Sequence, residues 1–454
     1  MSRPTERSSS KRRNTPARRR TRLSAERLEG RRLLAGDVGI TIRGDDVLVR
    51  GDDEANQLEI IQTPDGRTIA VGSDGTTING STDTLVIAES GDVIDDLRIR
   101  LGDGDDVILI DGVTVADDLS IAAGRGDDAV GLLRTTVGDD LTVRGYRGEL
   151  QFSLDLSEVG DDLRVSGGRD DALIVIDGST VGDDTFLRTG RGDDTIVVRG
   201  STHADDVYVF TGGGDDFIAV DDSTLGDDVF AFLGRGDDDL LVRDSNLADR
   251  VIAFAGGGDD NLELAGDNTL SDRRDPLLFG FDGDVVDDAD DTIDAAVDAL
   301  VDAGARRPTI IDIATGDENF STLVDLIVQA GLLDALSGTE PLTVFAPTNA
   351  AFGDFIAEFG LTVNDDGTLD VPNDLLTEVL TFHVAAGSLD STAVVAADSI
   401  ETLSGGTIAV TTDDAGVTLD GRAGLVAVDV RARNGIVHVI DAVLTPPSLD
   451  LTAA

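Results

Sequence analysis

The chain has 454 residues, no cysteine, a single lysine (Lys11), and 89 acidic against 36 basic side chains, for a formal net charge of -53. Such a balance repels nucleic acid and anionic lipid; the missing cysteine excludes disulfides and thiolate metal sites, and Schiff-base catalysis has no lysine beyond the first residues. With 53 glycines and only 4% aromatic residues, short turn-rich elements are expected rather than a helical bundle, and no apolar run approaches the roughly 20 residues of a membrane span.

Residues 1–36 form a basic segment rich in Arg, Ser, Thr and Pro, read as disordered and as an export or sorting signal. Its end, Leu28-Glu29-Gly30-Arg31-Arg32-Leu33-Leu34, resembles the LEPR-x-LL type N-terminal motif of planctomycete exported proteins, with Gly30 where that motif often has Pro. Residues 37–94 alternate strand-like runs such as Val47-Leu48-Val49 with turns such as Pro64-Asp65-Gly66. They are expected to be an irregular β cap that covers an open sheet end.

Across residues 95–270 an Asp-Asp pair returns every 22 residues, beginning at Asp95, Asp117 and Asp139, with a second set ten residues behind at Asp105 and Asp127. A register kept over eight blocks predicts a parallel β-helix, a β-solenoid of 22-residue coils. Apolar pairs two residues apart, Leu119/Ile121 and Val130/Leu132 among them, mark two strands per coil with one face buried, and Val115, Val137 and Val159 mark a third inward slot. His203 occupies that slot and is read as a core residue. Residues 271–308 break the register as an acidic linker with a short helix, in which Ile293, Ala296, Val297, Leu300 and Val301 share one face.

From residue 309 the pattern becomes α+β. Asn319–Ile327 reads as a capped helix, Leu342–Ala346 as a buried strand, and Asn434-Gly435 has the chemistry of a two-residue hairpin turn. Thr343-Val344-Phe345-Ala346-Pro347-Thr348-Asn349, Phe382-His383, and Asn434-Gly435-Ile436-Val437-His438-Val439-Ile440 together resemble the motifs of a fasciclin (FAS1) domain over residues 309–447, followed by a tail, 448–454. Phe382 stands where that family has Tyr. The resemblance implies an extracellular or cell-surface adhesion module, not an enzyme, that binds protein or polysaccharide, with Phe382, His383 and His438 as its binding-motif residues.

The runs Gly190-Arg191-Gly192-Asp193-Asp194 and Gly212-Gly213-Gly214-Asp215-Asp216 resemble the calcium nonapeptide of RTX repeats. That resemblance implies calcium as a conditional cofactor, none being required otherwise, with Asp106, Asp128, Asp194, Asp216, Asp238 and Asp260 as ligands. Leu150 and Ala172 interrupt the row. Two alternatives accompany the adhesion reading: a calcium-responsive RTX-like secreted module, and a β-helix enzyme acting on polysaccharide. The enzyme would need acid, basic and His side chains clustered out of step with the repeat, and the blocks deviate toward apolar residues instead.

Overall fold

The structure, a computed structural model, describes residues 36–447 apart from 248–249, 267, 271–276, 282–288, 303, 340, 363, 365–368, 370 and 414–415. Residues 1–35 of the basic segment with its export motif, Asp249, the acid run through residues 282–288 and the tail 448–454 lie outside the described residues.

Each coil carries three strands, for example Leu119–Arg125, Asp128–Leu133 and Thr136–Val137, and each strand pairs in parallel with its equivalent 22 residues on. Stacking gives three sheets, of 12, 11 and 8 strands among the described residues. The register is set by the buried rows: Leu97, Leu119, Leu141 and Leu163 lie over one another, as do Ile108, Val130, Phe152 and Ile174. A slip of one residue would turn every such row into solvent. The fold therefore matches the solenoid expectation. Its first sheet runs past residue 270 to Leu277–Phe279, which continues the outward rows by placing Phe279 over Phe254.

In the cap, Val47 and Val49 pair in parallel with Leu97 and Ile99, while antiparallel partners cover the strands on the other side: Asp37–Arg43 on Asp46–Arg50, and Thr68–Gly72 on Gln57–Gln62. The parallel edge is thus closed by hairpins.

The second sheet is buried on both faces. Its inward side chains meet the solenoid core; its outward ones, including Leu173, Val175, Val197 and Leu241, pack against Ile293, Ala296 and Leu300 of helix α1 (Ala289–Asp302) and against Ala305. Gly131 lies directly beneath the Ala305 carbonyl, where a Cβ would fall 1.7 Å from that oxygen. The helix expected in the linker is therefore a cover of the solenoid.

The α+β part follows. Helices α2 (Ile310–Gly316), α3 (Ser321–Ala330), α4 (Leu333–Ser337), α5 (Asn349–Phe359), α6 (Asn373–Phe382) and α7 (Ser391–Ala396) pack around a seven-stranded sheet. In that sheet Leu342–Pro347 lies between Val384–Ala386 and Gly435–Ile440. Thr309 and Asp312 form a capping box on α2, Thr348 caps α5, and Asp390 caps α7.

The hairpin expected at Asn434-Gly435 is present, but its loop is Arg433-Asn434, one residue earlier. Gly435 is the first strand residue because its α-carbon, at φ 150°, lies against the Leu342 carbonyl, where a Cβ would stand 1.9 Å from the oxygen. Asn434 ties the turn down: its side chain donates to the Leu336 carbonyl at 2.7 Å and accepts from the Ile310 N–H at 2.9 Å.

That same turn meets the solenoid. Arg433 lies 2.9 Å from Asp177 and 3.3 Å from Asp155, and Arg306 lies 2.9 Å from Asp155 and also pairs with Asp177, all four being buried. Arg199 adds a third cation to Asp177 at 2.8 Å. Burial pushes the Asp177 carboxyl up, but the three guanidiniums outweigh it and hold the group below the usual range. Beside them, Arg134 bridges the Arg433 carbonyl and Asp111, and Arg307 reaches Asp111 and Glu59.

Candidate functional site

The three fasciclin-motif residues are sealed inside the domain. Phe382, the last residue of α6, is fully buried among Phe345, Ile400, Ile408 and Leu419. His383 follows it; its Nδ1 donates to the Val379 carbonyl at 2.7 Å and its Nε2 accepts the Leu444 N–H at 2.8 Å. Burial pulls its pKa down to about 4, so the ring is neutral at pH 7. His438 stacks on Phe345, accepts the Asp429 N–H at Nδ1 (3.3 Å) and donates from Nε2 to the Leu389 carbonyl at 2.8 Å. Both imidazoles are thereby committed to main chain. They fix the end of α6 and the bulge at Asp429 within the long strand Ala423–Ala432, whose outer face shows Val426 and Val428 to solvent.

The six expected calcium ligands, Asp106, Asp128, Asp194, Asp216, Asp238 and Asp260, lie one per coil at a single corner, and all are buried. Each sends one carboxylate oxygen to the backbone of the preceding coil: Asp128 accepts from Asp106 N–H at 3.2 Å, Asp216 from Asp194 at 2.9 Å, Asp260 from Asp238 at 3.0 Å. The first Asp of the pair bonds the opposite way, Asp105 accepting from Asp127 N–H and Asp193 from Asp215 N–H in the following coil. One pair thus stitches a coil to both neighbours. The other oxygens of Asp106, Asp216, Asp238 and Asp260 are buried without a hydrogen-bond partner. Burial raises the pKa to about 7 in Asp106, Asp194 and Asp238, about 8 in Asp128 and about 6 in Asp216. Leu150 and Ala172 continue the same row in apolar form, and Asn56 opens it.

Acidic groups also gather at a different corner, where Asp161, Asp162 and Asp183, then Asp183, Asp184 and Asp205, hold carboxylate oxygens within 4.8 Å of one another. Hydrogen bonding to Asp205, with some burial, lifts Asp183 to about 6. A third corner carries a ladder the sequence reading did not single out: Ser157, Ser179, Ser201, Ser223 and Ser245 each accept the N–H of the preceding coil's equivalent at 3.1–3.2 Å. Its signal was present as a Ser or Thr every 22 residues. His203 is buried at its slot and shares a 2.7 Å hydrogen bond with Thr185, which stands where the neighbouring coils have Leu163 and Val207. Burial lowers its pKa to about 4.

The Fasciclin domain profile matches residues 318–446. Protein sll1483 of Synechocystis sp. is 38% identical over 141 residues, covering 31% of this chain and 74% of that protein. The cell surface glycolipoprotein MPB83 of Mycobacterium bovis is 34% identical over 153 residues (32% and 64%), and the transforming growth factor-beta-induced protein ig-h3 of Sus scrofa is 34% identical over 140 residues (31% and 20%). Profile and relatives agree with the motifs around Phe345, His383 and His438, and on these grounds the chain belongs to the fasciclin-domain family.

Proposed function

We propose that the protein is an exported adhesion protein of the cell surface or extracellular matrix, in which the solenoid carries a fasciclin module that binds an extracellular protein or polysaccharide. The observation that carries this reading is the fasciclin match at residues 318–446, in a domain held to the solenoid by buried ion pairs. The relative MPB83 is a cell surface glycolipoprotein. Both fasciclin histidines have their ring nitrogens engaged by main chain, which leaves neither as a general base. The test presents the full chain to a glycan array and to purified matrix proteins beside a charge-matched control. Retention above the control, weakened by Val426→Asp with Val428→Asp, supports the reading; retention equal to the control removes it.

A second reading, calcium held along the Asp106–Asp260 row, is favoured by the orphaned carboxylate oxygens of Asp106, Asp216, Asp238 and Asp260. A buried carboxylate oxygen without a donor calls for a proton or a cation, and stacked oxygen donors suit a hard ion such as calcium. Under this reading calcium raises the melting temperature at pH 8, and Asp216→Asn with Asp238→Asn abolishes the rise. An identical melt in calcium and in chelator eliminates it.

A further inference from the structure

The outward face of the first sheet departs from the acidic character of the chain. Its two outward rows, running from Arg98 to Ile252 and from Arg100 to Phe254, contain no acidic residue. Arginines dominate the early coils and aromatic rings the later ones. Phe186, Tyr208 and Phe230 stack in one row at 4.8–5.1 Å, and Phe210, Phe232, Phe254 and Phe279 in the other. Guanidiniums cap the first row, with Arg164 5.4 Å from the Phe186 ring and Arg250 5.3 Å from that of Phe230.

Where the two characters meet, the sheet is recessed. Strands Leu163–Ser166, Thr185–Arg188 and Val207–Phe210 have four residues, whereas Leu119–Arg125 and Val229–Arg235 have seven. One slot on, Gly167, Thr189 and Thr211 stand where Leu101, Ala123 and Leu233 do in longer strands. The two threonine hydroxyls bond to main chain of the following coil at 3.0 and 2.6 Å, and the backbone turns away early. The result is a cleft of about 900 Å³ lined by Arg169, Arg188, Arg191, Phe186, Phe210 and Phe232, among others.

Arg169, Arg188 and Arg191 are exposed and have no side-chain ion pair among the described residues. The nearby loop acids are engaged elsewhere: Asp170 accepts from Gly148 N–H at 2.8 Å and Asp171 from Asp193 N–H at 3.0 Å. Phe210 stacks on Phe232 by one face only, leaving the face toward Arg188 open to the cleft.

We infer that this cleft binds an acidic polysaccharide, a chain of uronate sugars whose carboxylates pair with Arg169, Arg188 and Arg191 while a sugar ring rests on Phe210. Guanidinium forks match planar carboxylates two hydrogen bonds at a time. An aromatic face next to them accepts the C–H face of a sugar. The net charge of -53 opposes any polyanion at long range, so selection rests on the local fit of planar carboxylates to the guanidinium forks and of a sugar face to Phe210. The site is separate from the fasciclin module, so its failure leaves the adhesion reading standing.

The experiment titrates the full chain with polygalacturonate, neutral dextran and a single-stranded oligodeoxythymidine in low and physiological salt. The expected result is salt-sensitive polygalacturonate binding, none to dextran, and at least tenfold weaker binding by Arg188→Ala with Arg191→Ala. Phe210→Leu weakens binding without changing its salt dependence. Val426→Asp with Val428→Asp, on the fasciclin module, leaves it unchanged. The inference is overturned if polygalacturonate fails to bind, if the arginine pair can be removed without effect, or if the oligonucleotide binds as tightly.

Discussion

Two sheets of one solenoid share a register and a core, yet meet opposite surroundings on their outer faces. The second sheet is covered: α1 lies over Val175, Val197 and Leu241, and Arg306 and Arg433 close over Asp155 and Asp177. The first is open and presents stacked rings and arginines to water. Since the inward rows are alike, the difference resides wholly in outward side chains. In a repeat fold the core sets the stack, and each outer face is free to take on its own partner.

The comparison is broken most severely at the ion cluster. Asp177→Ala leaves Arg433, Arg306 and Arg199 without their shared partner, with Asp155 alone facing the two buried guanidiniums, and should cost about 3–5 kcal/mol in denaturant unfolding. Arg164→Ala, which breaks the partly exposed ion pairs with Asp140 and Asp162 on the open sheet, should cost less than about 1 kcal/mol. Equal losses would mean that the covered face is solvated.

Packing gives the next largest contrast. Leu300→Ala empties a fully buried position between α1 and the second sheet and should cost about 2–5 kcal/mol. Phe232→Ala, within the open ring stack, should cost about 1 kcal/mol beyond the area it uncovers. Hydrogen exchange sharpens the result, since only the first variant should loosen the second sheet.

The third contrast is a pH dependence at the corner that holds Asp106, Asp128, Asp194, Asp216 and Asp238. Burial raises these carboxyls to about 6–8, against about 3.9 unfolded, so the folded chain holds protons that the unfolded chain has released. Their contribution is whole below pH ~4 and fades as pH climbs through 6 to 8. Without added cation, melting temperature should therefore fall between pH 5 and pH 8. Asp216→Asn should flatten part of that fall, because an amide keeps the acceptor for Asp194 N–H and adds a donor without a charge. A melting temperature that rises over the same window would show that the row is not neutralised by protons.

Much of this fold was written in spacing. The 22-residue period and the pairs Leu119/Ile121 and Val130/Leu132 dictate coil, strand and buried face, because a ladder of identical slots has one way to stack. The fasciclin part was legible as motifs, though the hairpin loop fell one residue early: turn chemistry at Asn434-Gly435 yields to the close approach of Gly435 to Leu342. The doubly buried second sheet was readable only in part. Leu173-Ile174-Val175-Ile176 is a continuous apolar run, the mark of a strand covered on both sides, but nothing local says that α1 is the cover. The Asp pairs gave their period and not their direction, since which coil a carboxylate faces depends on backbone geometry at the corner. The cleft was least legible. It lies where three successive strands, Leu163–Ser166, Thr185–Arg188 and Val207–Phe210, are short, a feature that exists only once coils are stacked.

The opposed bonding of each Asp pair has an evolutionary consequence. A whole coil, duplicated or deleted in the uninterrupted part of the array, leaves both rows of carboxylate-to-amide bonds continuous, whereas a change of any other length breaks one row and displaces the core. The length of the solenoid can thus be adjusted in steps of 22 residues, each adding about 4.8 Å of reach, while the coils of Asp111, Asp155 and Asp177 continue to hold the fasciclin module in place.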